Sequence, residues 1–195
     1  MIEIQYNKVC LISLNKELAI REVALPILQS KEAALRAETQ KIRRRIEELE
    51  VALKNMQDSI KYMETLWGEF PELVKIKKVH YSERKAASVT VTKVESIDFD
   101  IQPFNSFSNP PWFLKGIEII KEVLKLTVEL INEDRILDLV EHERRKTTQK
   151  VNLYEKVQIP FFEESMRKIK RYLEDEENLS KSSQKILKQR IAASG

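Results

Sequence analysis

The chain has 195 residues, 34 of them basic and 31 acidic, with 33% charged, 42% apolar and only three glycines, Gly68, Gly116 and Gly195. Phosphate-cradling loops need clustered glycines so that backbone amides can approach the phosphates, and neither a Walker-type loop nor a dinucleotide fingerprint can be assembled from these three. The net charge of +3 is interspersed along the chain, so it offers no one-signed face for nucleic acid or membrane and serves mainly solubility.

Cys10 is the single cysteine. It leaves no intrachain disulfide framework and no thiol metal cluster, and it makes a reducing, cytosolic setting the expectation. No stretch approaches the roughly eighteen uninterrupted apolar residues of a membrane span, and the opening MIEIQYNK lacks the basic-then-apolar order of a secretory leader. A soluble, cytoplasmic protein is expected, with Cys10 a small buried apolar residue.

The first element is a helix. Steps of three and four residues visit Leu11, Leu14, Leu18, Arg21, Leu25, Leu28, Glu32, Leu35, Thr39, Ile42, Ile46, Leu49, Leu53, Met56, Ile60, Met63 and Trp67. All but Arg21, Glu32 and Thr39 are apolar, and charged residues such as Arg43, Arg44, Glu47, Glu48 and Lys54 lie between them. Such a seam, sustained over roughly eight heptads, predicts a coiled-coil helix over residues 1–67. One helix cannot bury its own stripe, so a partner is required.

Residues 68–110 read as a β-rich insert. Short strands are expected near 73–81, 88–94 and 96–101, where β-branched residues alternate, bounded by Pro71, a SERKAA turn and the NSFSNPP loop. They would cap the closed end of a helical hairpin. So small a sheet has open edges and little core, and must lean on the helices or on another protein.

The returning helix, 111–195, starts after Pro110 and Pro111, where proline suits the first turn because its missing N–H would be unpaired anyway. Folded back antiparallel with Leu66 near Trp112 or Phe113, it pairs residues whose numbers sum to about 180. That register sets the polar run Glu141 to Lys150 opposite residues 30–39, a polar waist, and brings Pro26 near the level of Pro160. Each proline removes a backbone hydrogen bond, so a bend shared by both strands is expected. The fold class is thus mainly α: a long, rod-like antiparallel two-helix coiled-coil hairpin with a small β insert at its closed end.

Chemistry is sparse. His80 and His142 lack acidic or cysteine neighbours at a ligand spacing, and acidic pairs such as Glu163/Glu164 belong on solvated helix faces. The basic run Arg43 to Arg45 is followed at once by Glu47, Glu48 and Glu50, which suits coil surface better than nucleic acid. No catalytic residue, cofactor site or metal site is expected, and the protein is not read as an enzyme.

The carboxy-terminal half carries more. The string RRKTTQKVNLYEKVQIPFFEESMRKIKRYLEDEE, Arg144 to Glu177, resembles the signature of the D subunit of the V/A-type rotary ATPases: a basic, threonine-rich stretch, then Val151, Asn152 and Glu155, then the Ile159–Pro160 pair, then a charged helix. Upstream, Pro110, Pro111 and Trp112 resemble the residues that open that family's returning helix, and the insert and opening helix are similar too. The likeness departs from the pattern near residues 24–33, where Pro26, Gln29 and Glu32 replace a glycine-containing basic cluster, as in a divergent bacterial branch.

The resemblance implies a central rotor shaft without catalytic residues of its own. It implies as partners the small F subunit of the central stalk, the catalytic and non-catalytic subunits of the ATPase ring, and the funnel-shaped stalk subunit above the membrane ring. Leu173 through Ile191 would form the tip inside the ring. Candidate partner contacts are Val89 and Val91 on the edge strands, the coil from Ile46 to Met63, Arg144, Arg145, Lys188 and Arg190. The alternatives are a prefoldin-like coiled-coil chaperone, to which the VNLYEKVQIP element is foreign, and an inert coiled-coil adaptor, which leaves the insert unexplained.

Overall fold

The computed structural model describes residues 5–103 and 110–193, except the side chains of Met63 and Ala193. Most of the expected NSFSNPP loop, Gly195 and the Met63 seam side chain therefore lie outside the described residues. The elements in order are α1 (Lys8–Ile60), a 3₁₀ turn (Lys61–Met63), α2 (Glu64–Trp67), β1 (Val74–Ala86), β2 (Val89–Ile101), α3 (Trp112–Leu153), a π-helical turn (Tyr154–Gln158) and α4 (Ile159–Ala193). The chain divides into two compact units, one made of Met1–Ser30 and Thr147–Gly195, the other of Lys31–Lys146.

In the first unit α1 begins at an Asn7 cap, whose Oδ1 accepts the Cys10 N–H at 2.7 Å, supplying an acceptor for one of the donors a helix start leaves unpaired. Leu14, Leu18, Phe162 and Ile169 form the core, with Cys10, Leu11, Ile159, Met166 and Leu173 packed around it. Tyr6 stacks against Tyr172 at 5.2 Å, and Arg21 meets Gln158; both pairs follow the expected antiparallel register closely. From Glu174 to Ala192 every residue of α4 is exposed, because α1 has ended at that level.

α1 remains helical through Pro26. On the returning side the backbone widens instead into the π turn, with the Ile159 N–H bonded to the Tyr154 carbonyl. Pro160 has no N–H to offer the carbonyl four residues back, and one wider turn immediately ahead of it absorbs that defect. The two prolines thus have different local consequences.

In the second unit Lys31 pairs with Glu143 at 2.8 Å and Arg43 with Glu141 at 2.5 Å, again within two turns of the expected register. The helical stretch reaches Trp67 but is not one continuous α-helix. α1 stops at Ile60, and the tighter 3₁₀ turn changes the phase of α2, where Trp67 joins Phe70 and Trp112 at centroid distances of 5.5 and 5.8 Å. This aromatic knot, with Phe113 edge-on to Trp112, marks where the chain reverses. Leu73, Val74, Phe113 and Ile117 form the core beside it.

The insert differs from expectation in two ways. Of the two or three short strands expected there are two, and each is long, 13 residues. The SERKAA stretch is strand up to Ala86, and the turn is Ala87–Ser88, with Ala87 at φ 53°. The apparent break between the second and third strands is a register shift that leaves Glu95 without a partner in β1, a bulge that leaves the strand continuous.

Nor does the sheet simply cap the closed end. Only its base lies there; its tip, Ala86 and Val91, is buried against Leu35, Ile42, Ile46, Ile136 and Val140. Thirteen strand residues span about 43 Å, close to the ~48 Å of helix between Trp67 and Leu35. A two-stranded sheet cannot bury its own face, so it lies lengthwise on the coil. In this unit the tip lands beside the expected polar waist, on apolar residues next to it, and Leu35 and Val140 there are fully buried.

Gly116 tests the packing at the closed end. A Cβ at this position would stand 2.6 Å from the Phe70 ring, which Trp67, Trp112 and Phe113 hold from other sides. Gly116→Ala should gain about 1 kcal/mol of helix propensity but lose about 1–3 kcal/mol to overpacking. A lowered melting temperature is expected by circular dichroism; a raised one would mean that the ring yields freely.

Candidate functional site

Two places combine unusual backbone with concentrated polar chemistry. The first is the π turn. Arg21 occupies a seam position meant for an apolar side chain, and it is accommodated because each part of it is satisfied. Its Nε donates to Gln158 Oε1 at 2.6 Å, Nη1 donates to the Glu17 carbonyl at 2.8 Å and pairs with the Glu17 carboxylate, and the guanidinium lies 4.8 Å from the Phe162 ring centre and 5.8 Å from that of Tyr154. Gln158 and Tyr154 come from the π turn itself, whose extra residue re-aims side chains that a regular helix would send elsewhere. Of the signature residues, Val151 and Ile159 are half-buried, whereas Asn152, Glu155 and Pro160 are exposed. Beside them runs an exposed apolar strip, Ile20, Val23 and Ile27 on α1 and Leu153 and Val157 on the returning side, where a cavity of about 440 Å³ is lined by Arg21, Leu28, Lys150 and Tyr154 among others.

The second place is the dock of the β tip. Thr92 Oγ1 donates to Asn132 Oδ1 at 2.9 Å while Asn132 Nδ2 donates to the Thr92 carbonyl at 3.0 Å, so the amide of a buried asparagine is used from both ends. Arg84 reaches Glu38 at 3.8 Å and Glu133 at 3.9 Å, and Arg45 reaches Glu129 at 3.5 Å. Glu38, Arg45, Arg84 and Glu133 border a cavity of about 330 Å³ together with Lys41, Ile42 and Lys93. Burial pushes the Glu133 carboxyl above the usual carboxylate range, against the attraction of Arg84 and Arg45 and aided by Glu129 and Glu38. Glu141, by contrast, is held below that range by the hydrogen bond from Arg43, with Arg145 assisting.

At both places arginines meet carboxylates, Arg21 with Glu17 and Arg84 with Glu38 and Glu133. Among the described residues no group of three or more His, Cys, Asp or Glu side chains converges to hold a metal ion. His80 forms an exposed cross-strand pair with Asp98 at 2.9 Å.

The comparisons with known proteins agree in one direction. Residues 10–189 match the family model of the ATP synthase D subunit. The chain belongs to the ATP synthase D subunit family. It is 31% identical over 175 residues to the D subunit of the V-type ATP synthase of Borreliella burgdorferi, covering 88% of this chain and 87% of that one.

In this member of the D subunit family the seam positions lie inward. Leu14, Leu18, Leu35, Ile42, Ile46 and Leu49 are buried, and Leu11, Leu25, Leu28, Leu53, Met56, Ile60 and Trp67 are half-buried. At the opening of the returning helix Pro110 and Pro111 are exposed, and Trp112 is half-buried in the aromatic knot. Among the candidate partner contacts, Arg145, Lys188 and Arg190 are exposed and Arg144 is half-buried. Of Val89 and Val91, Val91 is 2% exposed and Val89 is half-buried against the same core, because this end of the sheet is folded onto the helices. The patterns missed from sequence were the dual use of Asn132 and the Arg84 bridge. A lone buried asparagine opposite a threonine-rich strand is the only trace they leave.

The raised value of Glu133 has a definite sign. Folding disfavours its ionisation, so its favourable contribution is complete below the unfolded carboxylate value and is lost as pH rises through the higher folded value. Glu133→Gln should therefore raise the melting temperature more at about pH 7 than at about pH 4. Equal shifts at both pH values would disconnect Glu133 from the pH dependence of this unit.

Proposed function

We propose that this chain is the central rotor shaft of a V/A-type rotary ATPase, a non-catalytic stalk component. It would transmit torque between ATP hydrolysis or synthesis in the catalytic ring and ion translocation in the membrane sector. The observation that carries the reading is family membership across nearly the whole chain. The physical features suit the task. Seam packing along α1 resists separation of paired helices, and mixed surface charge gives sliding contacts without one deep binding minimum.

In this reading the exposed end of α4, Glu174 to Ala192, stands among the ring subunits, and the closed end with its aromatic knot faces the funnel-shaped stalk subunit. The small F subunit binds along the coil, for which the apolar strip beside the π turn offers contact area. The protein works on the cytoplasmic side as a peripheral part of the complex; no helix among the described residues is long and apolar enough to cross a membrane.

Co-expression with the F subunit of the same ATPase tests the assignment. A stable one-to-one complex is expected by size exclusion, and Val157→Asp, which charges the apolar strip without touching the seam, should weaken it. Failure to form any complex would overturn the rotor reading, and suppression of aggregation of a denatured client would favour the chaperone alternative.

A further inference from the structure

The two edges of the β ribbon are unequal. A two-residue turn closes on a hydrogen-bonded pair, here Ala86 with Val89, so alternate residues outward from it direct their backbone groups away from the partner strand. On β2 this places the Thr92 carbonyl on the outer edge, where Asn132 caps it at 3.0 Å. On β1 the corresponding residues are Tyr81, Glu83 and Lys85, all exposed. No third strand joins them among the described residues, and no helix side chain caps them as Asn132 caps Thr92.

Charge is divided in the same way. β1 carries Lys75, Lys77, Lys78, Arg84 and Lys85 against Glu83, whereas β2 carries Glu95, Asp98 and Asp100 against Lys93. Arg84 is engaged with Glu38 and Glu133 and Lys75 with Glu72. Lys77, Lys78 and Lys85 are exposed and form no ion pair among the described residues. An open edge bordered by exposed lysines repels another copy of itself, and it attracts an extended chain of opposite charge.

We propose that the free edge of β1 around Tyr81 to Lys85 receives an extended, acidic segment of a protein partner as a third strand. Backbone bonds to Glu83 and Lys85 supply the register, and Lys77, Lys78 and Lys85 select acidic side chains. The site is independent of the strip beside the π turn, so its failure would leave the rotor assignment standing.

The test uses the full chain and a blocked peptide of about eight residues alternating valine and glutamate, roughly one strand long, compared with its valine–lysine counterpart. The acidic peptide is expected to protect the Glu83 and Lys85 amides from hydrogen exchange, and the lysine peptide to leave them unprotected. Lys85→Pro removes an outward N–H that the ribbon itself does not use and should abolish the protection of the Glu83 amide. The combined reversal Lys77→Glu, Lys78→Glu, Lys85→Glu leaves the backbone intact and should weaken the acidic peptide about tenfold, the combined scale of three exposed ion pairs. No protection, equal protection by both peptides, or unchanged affinity in the reversed variant would overturn the proposal. Protection that grows with protein concentration without peptide would also overturn it, by showing that a second copy is the occupant.

Discussion

The constraint on which everything else rests is the apolar stripe of α1. A side chain such as Leu35 or Ile42 gains roughly 1.5–3 kcal/mol on leaving water, and a helix with such a residue every three or four positions has nowhere to put them by itself. The returning helices satisfy that demand in each unit, around Leu14, Leu18, Phe162 and Ile169 in one and around Leu35, Ile42, Ile136 and Val140 in the other. Polar residues on the seam are tolerated where they bring their own acceptor. Thr39 donates to the Leu35 carbonyl, Thr127 to that of Val123 and Ser165 to that of Phe161, each four residues back. A hydroxyl used this way occupies a core site without leaving an orphan donor.

Arg21 is the harder case, because a cation cannot be satisfied by its own helix alone. Its solution draws on the other side of the pairing, and it coincides with the one place where the returning backbone departs from α geometry. Proline at 160 makes a wider turn tolerable, and the wider turn presents Tyr154 and Gln158 to the guanidinium. The signature segment therefore has a physical reading beyond resemblance: its proline and the turn before it arrange the partners that let a charged residue sit in the seam.

The helices and their register were legible because heptad periodicity is a one-dimensional signal that survives without knowledge of the partner. Even Glu32, a charged interruption, is half-buried as its seam position requires. The strands were legible as composition, but their ends were not. Glu95 looks like a boundary because a bulge breaks alternation just as a turn does, and Ala87 conceals a turn because alanine is a poor choice for a positive φ. The destination of the sheet was illegible for a different reason. Alternation reports that one face is covered, not by what, and Val91 is as apolar for a coil as it would be for a partner.

That destination bears on how this unit resists deformation. The β ribbon is fastened at its base, by Leu73 and Val74 beside Phe113 and Ile117, and at its tip, by Ala86 and Val91 with the Asn132 bonds. Between these anchors its strands are mostly exposed. Strand advances about 3.3 Å per residue and helix about 1.5 Å, so a short insert can bridge a long stretch of coil. Sliding one helix past the other here would shear the tip from a core assembled from both, since Leu35, Ile42 and Ile46 come from α1 while Ile136 and Val140 come from α3. Two helices sharing only a seam can exchange one register for another a heptad away at modest cost. A third element that grips both at once, with a buried asparagine matched to one threonine, removes that freedom, and a shaft proposed to carry torque has reason to be built so.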